Sequence, residues 1–347
     1  MRILGIETSC DETGVAILEK SGESFKLLSN KIASSLTFHA QTGGIIPEVA
    51  AREQVKVIIP TLREALFEGL NFDYDSRHIP GIDAIAVTYG PGLIGSLLVG
   101  VETAKTLSLL WQKPLIPVNH MHGHLYANWI ENPDIELPAI ILIVSGGHTD
   151  LLYMKSPSEI SVIGGTRDDA AGEAFDKIGR LLSLPYPAGP TIAKLAKKGD
   201  PKAFTLPRPM IGSQDFDFSF SGLKTSVLNL IKKNNWNFAD EKLSAEKQNL
   251  LADLSASVQA AIVDVLVRKT TKAAIDYQVN TVLLGGGVAA NQMLRQSLQE
   301  KLDHDIRLIT PSPYLCTDNG AMIAAAAFFT QPSASWEEVD AKPELYY

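Results

Sequence analysis

Short apolar runs recur along the chain, separated by turns rich in glycine, hydroxyls and acids, and longer stretches repeat their apolar positions at helical spacing. Residues 2–7 read as a strand, 8–14 (Thr-Ser-Cys-Asp-Glu-Thr-Gly) as a tight turn, and 15–18 as the returning strand. The N-terminus therefore predicts a hairpin, with a third strand over 25–29. Backbone N–H groups and hydroxyls at such a tip can cradle a phosphate, and Asp11 could orient a metal or water there; the same residues also make an ordinary hairpin turn. A glycine-bearing loop, 41–48, opens a helix over about 47–68, with Pro47 and Glu48 suited to its first turn. A strand at 83–88, a loop at 89–96, a helix to about residue 111 and a strand at 115–118 complete this half.

Around 131–134 the pattern breaks and starts again. Strand 139–144, turn 145–149 (Ser-Gly-Gly-His-Thr), strand 150–154 and strand 160–163 repeat the layout of the N-terminus, which predicts an internal duplication. Helices follow from about residue 168, over 191–198, and over 244–277, where Leu250, Leu254, Val258, Ala261, Ile262, Val265 and Leu266 mark an amphipathic face. A strand at 282–284 runs into Gly285-Gly286-Gly287, a junction that lets a flat ring or a phosphate approach bare backbone, and a strand at 307–310 precedes a small-residue helix over 321–329. Thr317 or Asp318 suits that helix as N-cap, and the polar tail from Gln331 is expected to be loosely attached. The expected division is a first lobe, 1–134, a second lobe, 135–330, with an inserted helical region at about 190–245, and a tail, 331–347.

Composition narrows the function. With 347 residues, 45% of them hydrophobic, two domains with real cores are affordable, and 31 basic against 39 acidic residues give a net charge of −8. No global footprint for nucleic acid follows from that balance, but residues 194–233 hold Lys194, Lys197, Lys198, Lys202, Arg208, Lys224, Lys232 and Lys233 against Asp200, Asp215 and Asp217, a local +5. Phe204, Phe216, Phe218 and Phe220 are interleaved there, as stacking groups or as buried core. The two cysteines, Cys10 and Cys316, lie far apart, which fits a reducing compartment. The N-terminus has the wrong flanks for a signal peptide, and no apolar run approaches the ~20 residues of a membrane span. The expectation is a cytoplasmic protein with no membrane contact.

The densest candidate chemistry is Asn119-His120-Met121-His122-Gly123-His124, three of the chain's seven histidines at the exit of a strand. His120 and His124 are four apart, so on a helix their rings share one face and can reach one metal, or can simply be solvated or capping; His122 points elsewhere. Asp169, Glu173, Asp176 and Arg180 fall along one side of the helix near 168–180, where a solvated charged face is the plain alternative.

Beyond single motifs, the strings Gly5–Thr13, Gly43–Glu48, His120–His124, Val144–Thr149, Asp168–Lys177, Gly285–Asn291 and Cys316–Gly320 together resemble the TsaD family, in order and over nearly the whole chain. The resemblance implies an α/β, actin-like ATPase fold (ASKHA), duplicated into two lobes, with nucleotide and metal in the interlobe cleft. It implies an acyltransferase that moves a threonylcarbamoyl group from threonylcarbamoyl-AMP to N6 of the adenosine 3′ of the anticodon, in tRNAs reading codons that begin with A. His120, His124 and Asp318 carry over as ligands of one divalent metal, iron(II) or zinc, with Asp318 arriving from the second lobe. Ser9, Ile143, Val144, Ser145, Gly146, Gly147, Asp176, Gly189 and Asn291 carry over as the donor's binding set, and Asp11 and Glu173 as catalytic candidates. A TsaB-type paralogue, on helices 47–69 and 92–111, and a TsaE-type ATPase are the implied protein partners, beside tRNA. The competing reading is a metallopeptidase, the family's older description, but a His-Glu-x-x-His string needs a carboxylate where this chain has Met121. A small-molecule kinase of the same architecture would have no obvious use for the histidine–aspartate set.

Overall fold

The structure, a computed structural model, describes residues 1–72, 78–240, 244–330 and 334–347, without the side chains of 41 and 42. It divides into two compact units, residues 1–135 with 311–347 and residues 136–310. Residues 331–333 of the expected tail and 241–243 of the expected inserted region lie outside the described residues.

The first unit begins with β1 (Arg2–Glu7), β2 (Glu12–Ser21) and β3 (Ser24–Ser34), followed by α1 (Leu36–Thr42), α2 (Pro47–Leu70), β4 (Ala84–Gly90), α3 (Ile94–Trp111), β5 (Leu115–Asn119), α4 (His120–Tyr126) and α5 (Asn128–Glu131). Its sheet runs β3-β2-β1-β4-β5; the first three strands are antiparallel, and β4 and β5 join in parallel. β2 and β3 outrun the short strands expected at 15–18 and 25–29, because the antiparallel ladder continues through polar positions once it is paired. Leu4, Ile6, Val15 and Ile17 on one face of the sheet pack with Ile58, Leu62 and Leu66 of α2 and with Val101 and Ala104 of α3.

The second unit holds β6 (Ala139–Val144), β7 (Thr149–Ser156), β8 (Glu159–Gly165), α6 (Ala171–Leu181), α7 (Ala188–Ala196), α8 (Ser221–Lys233), α9 (Ala245–Asp276), β9 (Thr281–Gly285), α10 (Gln292–Lys301) and β10 (Arg307–Ile309). Its sheet order, β10-β9-β6-β7-β8, repeats that of the first unit, again with three antiparallel strands and two added in parallel. The expected duplication of an actin-like α/β architecture is therefore present strand for strand. By length and composition α3 and α9 are each apolar enough to cross a membrane, contrary to the expectation that no run approaches that length. For α9 the reason is burial on most of its circumference, with 83% of its apolar window inside the protein.

From Pro311 the chain returns to the first unit through α11 (Pro313–Cys316) and α12 (Gly320–Ala327), so the second compact unit ends at Thr310. α12 is buried along its whole length and lies directly on β1 and β2. A Cβ on Gly5 would stand 2.2 Å from the Gly320 carbonyl oxygen, and one on Gly14 would stand 2.6 Å from the Gly320 nitrogen. Backbone meets backbone here, which only glycine permits.

From Ala334 on, the tail is docked, against expectation. The Ala334 N–H donates to the Leu115 carbonyl (2.9 Å), the Lys342 N–H to the Tyr89 carbonyl (2.6 Å), and the Asn119 side-chain amide to the Tyr346 carbonyl (3.1 Å). Val339 joins the core of the first unit. Polar composition concealed this attachment because most of its bonds are made by backbone groups, which carry no sequence signal.

Candidate functional site

β5 ends at Asn119, whose side chain accepts from the Met121 N–H (2.8 Å) and so caps α4. The cap starts a helix at His120 and brings His120 and His124 onto one side of it, with ring centroids 4.7 Å apart and planes at 80°. Asp318 stands in the turn ahead of α12. It does not cap that helix; Asn319 does, accepting from the Met322 N–H (3.0 Å), which leaves the Asp318 carboxylate pointed at the histidines. Its Oδ1 lies 3.2 Å from His124 Nε2 and 3.7 Å from His120 Nε2. The three potential ligand atoms fall within 4.8 Å of one another. All three residues belong to the first unit, so Asp318 does not arrive from the second lobe. The seating of α12 on β1 and β2 brings it to the histidines.

The set fits a metal on its own evidence. Both ring nitrogens of His124 are buried without a hydrogen-bond partner among the described residues, an expensive state for an imidazole unless something else takes a lone pair. Two imidazoles and one carboxylate suit zinc or iron(II) and leave coordination positions for other oxygens. Burial works against a charge on His120, but Glu7 and Asp318 outweigh it and push the ring up to about 9. Met121 is buried in the core, and burial holds His122, beside Tyr126 and Tyr347, below the usual imidazole range.

The tip of the first hairpin is clamped by Gln54 of α2, whose amide donates to the carbonyls of Cys10 (3.1 Å) and Glu12 (2.9 Å). Asp11 accepts through its own carbonyl from Ser35, while burial and the nearby Asp318 raise its carboxyl above the ordinary range. Glu12 is pushed up to about 8, first by burial and then by Asp318 and Asp11. Ser9 is buried, with Oγ 3.1 Å from His120 Nδ1, so its side chain stands behind the histidine rather than lining an open surface. The sequence reading missed Glu7, a charged residue that closes an otherwise apolar strand and now lies wholly buried against His120. Its signal was that position, just ahead of the hydroxyl turn.

The second unit holds the other candidate residues, some of them at the β6–β7 turn. The side chains of Ile143 and Val144 are core, so only their backbone could meet a ligand. Ser145 closes the turn with the His148 N–H (3.1 Å), and its carbonyl accepts from the Gly172 N–H at the start of α6 (3.1 Å). Nothing lies within 4 Å of a Cβ placed on Gly146, Gly147 or Gly287, so these backbones stand open to an approaching group. Asp176 accepts from the Ala188 N–H (2.7 Å) and also from that of Gly189, while burial raises its carboxyl above the ordinary range. Asn291 caps α10 through the Leu294 N–H (3.1 Å) and donates to Gln259 (2.9 Å). Glu173 is ion-paired with Lys177 at 2.9 Å.

The basic run keeps exposed charges on Lys194, Lys197, Lys198, Lys202, Lys232 and Lys233, whereas Arg208 is paired with Asp264. Its aromatics are not a stacking platform. Phe218 and Phe220 are fully buried, Phe204 packs on Trp236, and Phe216 lies under Lys272.

A family model described as TsaD, tRNA N6-adenosine threonylcarbamoyltransferase, matches residues 26–325. Curated proteins of that name from Syntrophomonas wolfei and Thermosipho africanus are each 48% identical to this chain over 99% of its length, covering 97% and 99% of their own. One from Staphylococcus haemolyticus is 48% identical over 99% of the chain and 95% of its own length. Among solved structures, HypF of T. kodakarensis aligns with 94% of the chain and 47% of its own at TM-score 0.58 and 16% identity. Component A of the (R)-2-hydroxyglutaryl-CoA dehydratase of Acidaminococcus fermentans aligns with 94% of the chain and 96% of its own at TM-score 0.51 and 15% identity. These two likenesses concern the fold alone.

Proposed function

The chain belongs to the TsaD family, the tRNA N6-adenosine threonylcarbamoyltransferases, and on that premise we propose that His120, His124 and Asp318 hold the one divalent metal that serves the transfer. The observation that carries the proposal is a buried histidine pair facing a carboxylate, with both His124 nitrogens otherwise unsatisfied. The chemistry such an ion supplies when bound is Lewis acidity toward an acyl oxygen of the donor. The acceptor is the adenosine 3′ of the anticodon in tRNAs reading codons that begin with A, and the donor is threonylcarbamoyl-AMP. The N6 amine attacks the carbamoyl carbon, the new N–C bond forms, the C–O bond to phosphate breaks, and AMP leaves. Asp11, its carboxyl raised by burial, suits acceptance of the proton that N6 gives up.

The adenylate is assigned to the second unit's open turn. The bare backbones of Gly146, Gly147 and Gly287 admit a phosphate or ring plane, and Ser145, Asp176, Gly189 and Asn291 are assigned to its polar contacts. Glu173 already has Lys177 as its partner, which favours Asp11 for the proton-accepting role. A metallopeptidase is not favoured, since the relatives are named transferases and Met121 stands where a hydrolytic base is needed. The reaction's place is the cytoplasm, where its tRNA substrate is found.

Two surfaces support the partner assignments. Lys197, Lys198 and Lys202 are among the exposed lysines of the basic patch, and changing all three to glutamine is expected to weaken tRNA binding. The slope of log affinity against log salt should flatten by about 2, if each lysine meets one phosphate. An unchanged affinity and slope would leave the patch as mere solvated surface. On α2, Val55, Ile59 and Phe67 are exposed, as are Leu98, Leu109 and Leu110 on α3, an apolar surface suited to the TsaB-type paralogue, with a TsaE-type ATPase joining that pair. The double variant Phe67→Asp with Leu110→Asp should elute alone when mixed with the paralogue, at unchanged helicity. Co-elution at wild-type yield would place the interface elsewhere.

A further inference from the structure

We propose that Glu7 is the positioning residue of the metal centre, holding His120 in the one tautomer and orientation that can ligate. The inference rests on the metal assignment above and deepens it. Glu7 ends β1 with no solvent exposure, and His120 is its only ion-pair partner among the described residues. Its Oε1 accepts from the Ser9 N–H (2.5 Å), and its Oε2 accepts from the Thr88 hydroxyl (2.5 Å) and lies 3.2 Å from His120 Nδ1.

Glu7 already accepts from the Ser9 N–H and the Thr88 hydroxyl, and its contact with Nδ1 is made in the same way when that nitrogen carries the proton. Nε2, on the far side of the ring and facing Asp318 and His124, is then the nitrogen that gives up its proton to a metal and ligates it. Ser9 Oγ, 3.1 Å from the same Nδ1, adds a second polar wall behind the ring. Thr88 and the Ser9 amide in turn fix the carboxylate, so the orientation passes from the strand ends of β1 and β4 through Glu7 to the imidazole. A carboxylate behind a metal-binding histidine also raises the basicity of the ligating nitrogen. Among the described residues His124 has no such partner, which makes Glu7 the side chain through which this sheet aims one ligand of the pair.

Glu7→Gln keeps the volume and separates these roles. With the glutamine oxygen retained on the Ser9 N–H, its NH₂ faces Nδ1, which must then accept, and the ring proton moves to Nε2 and blocks ligation. Zinc affinity, read by competition with a chromogenic chelator, should fall about 10- to 100-fold, in the range of such outer-shell partners. The visible absorption of the cobalt(II) form should change, while far-UV circular dichroism of the metal-free protein stays as in wild type. Zinc affinity equal to wild type in folded Glu7→Gln overturns the inference. If the variant fails to fold, nitrogen-15 NMR of the cadmium-113-loaded wild type decides: coupling through His120 Nε2 with a proton on Nδ1 is expected, and coupling through Nδ1 overturns it. Wild-type protein that takes up no metal at His120 would instead remove the metal assignment itself.

Discussion

His120→Ala or His124→Ala is expected to remove metal binding and threonylcarbamoyl transfer together, each by more than about 100-fold. The bound follows because changes behind a ligand already cost 10- to 100-fold, and these changes delete the ligand. With two imidazoles and one carboxylate the set has no spare donor among the described residues, and either change leaves a single imidazole beside Asp318, two ligands where even an open catalytic site uses three. The fold should survive. His124 makes no hydrogen bond among the described residues, so its loss costs only packing, and metal-free His124→Ala should melt within a few degrees of metal-free wild type; His120→Ala, which leaves the buried Glu7 carboxylate without its ion-pair partner, should melt lower. What should vanish is the rise in melting temperature that added zinc gives the wild-type protein. A variant that still gains stability from zinc, yet transfers nothing, would separate the metal from these histidines.

The second large effect belongs to a residue with no polar chemistry. Gly5→Ala should destabilise the first unit by about 3 kcal/mol or more, at or beyond the upper end of ordinary overpacking, because the added methyl meets backbone rather than a movable side chain. Its Cβ would stand 2.2 Å from the Gly320 carbonyl oxygen and 2.7 Å from the Ala324 nitrogen. The only relief is to lift α12 off the sheet, and Asp318 sits two residues ahead of that helix. Metal affinity should therefore fall in whatever fraction remains folded. Gly212→Ala, where nothing lies within 4 Å of the new Cβ, is the matched control and should stay within about 0.5 kcal/mol of wild type. Equal denaturant midpoints for the two variants would contradict the close seating of α12.

Much of this was legible in the chain because the signals are local. Apolar runs gave the strands of both sheets, and their repeated order gave the duplication. The spacing of His120 and His124 placed both rings on one helical face, and the resemblance to known transferases added Asp318. Other features turned on contacts remote in sequence. Asp318 was assigned to the second lobe by its place in the chain, but the glycine contacts of α12 decide where it stands. Asn319 took the cap that Thr317 or Asp318 was expected to supply, since only its side chain reaches the Met322 N–H from a properly extended backbone. Glu7 looked like the polar end of a strand until Thr88, eighty-one positions away, and His120 closed around it. The phenylalanines of the basic run could be read as stacking groups or core, and burial of Phe218 and Phe220 decides for core.

The most direct test of the metal-dependent transfer is a labelled-threonine assay on unmodified tRNA. Threonylcarbamoyl-AMP is supplied ready-made, together with the paralogue and the ATPase, and the protein is used metal-loaded, metal-stripped, or as the His120→Ala/His124→Ala double variant. Label should enter tRNA with the loaded protein, fall to background with the stripped one, return on adding back zinc or iron(II), and stay at background in the double variant whatever is added. Undiminished transfer by the stripped protein or by the double variant would contradict the account.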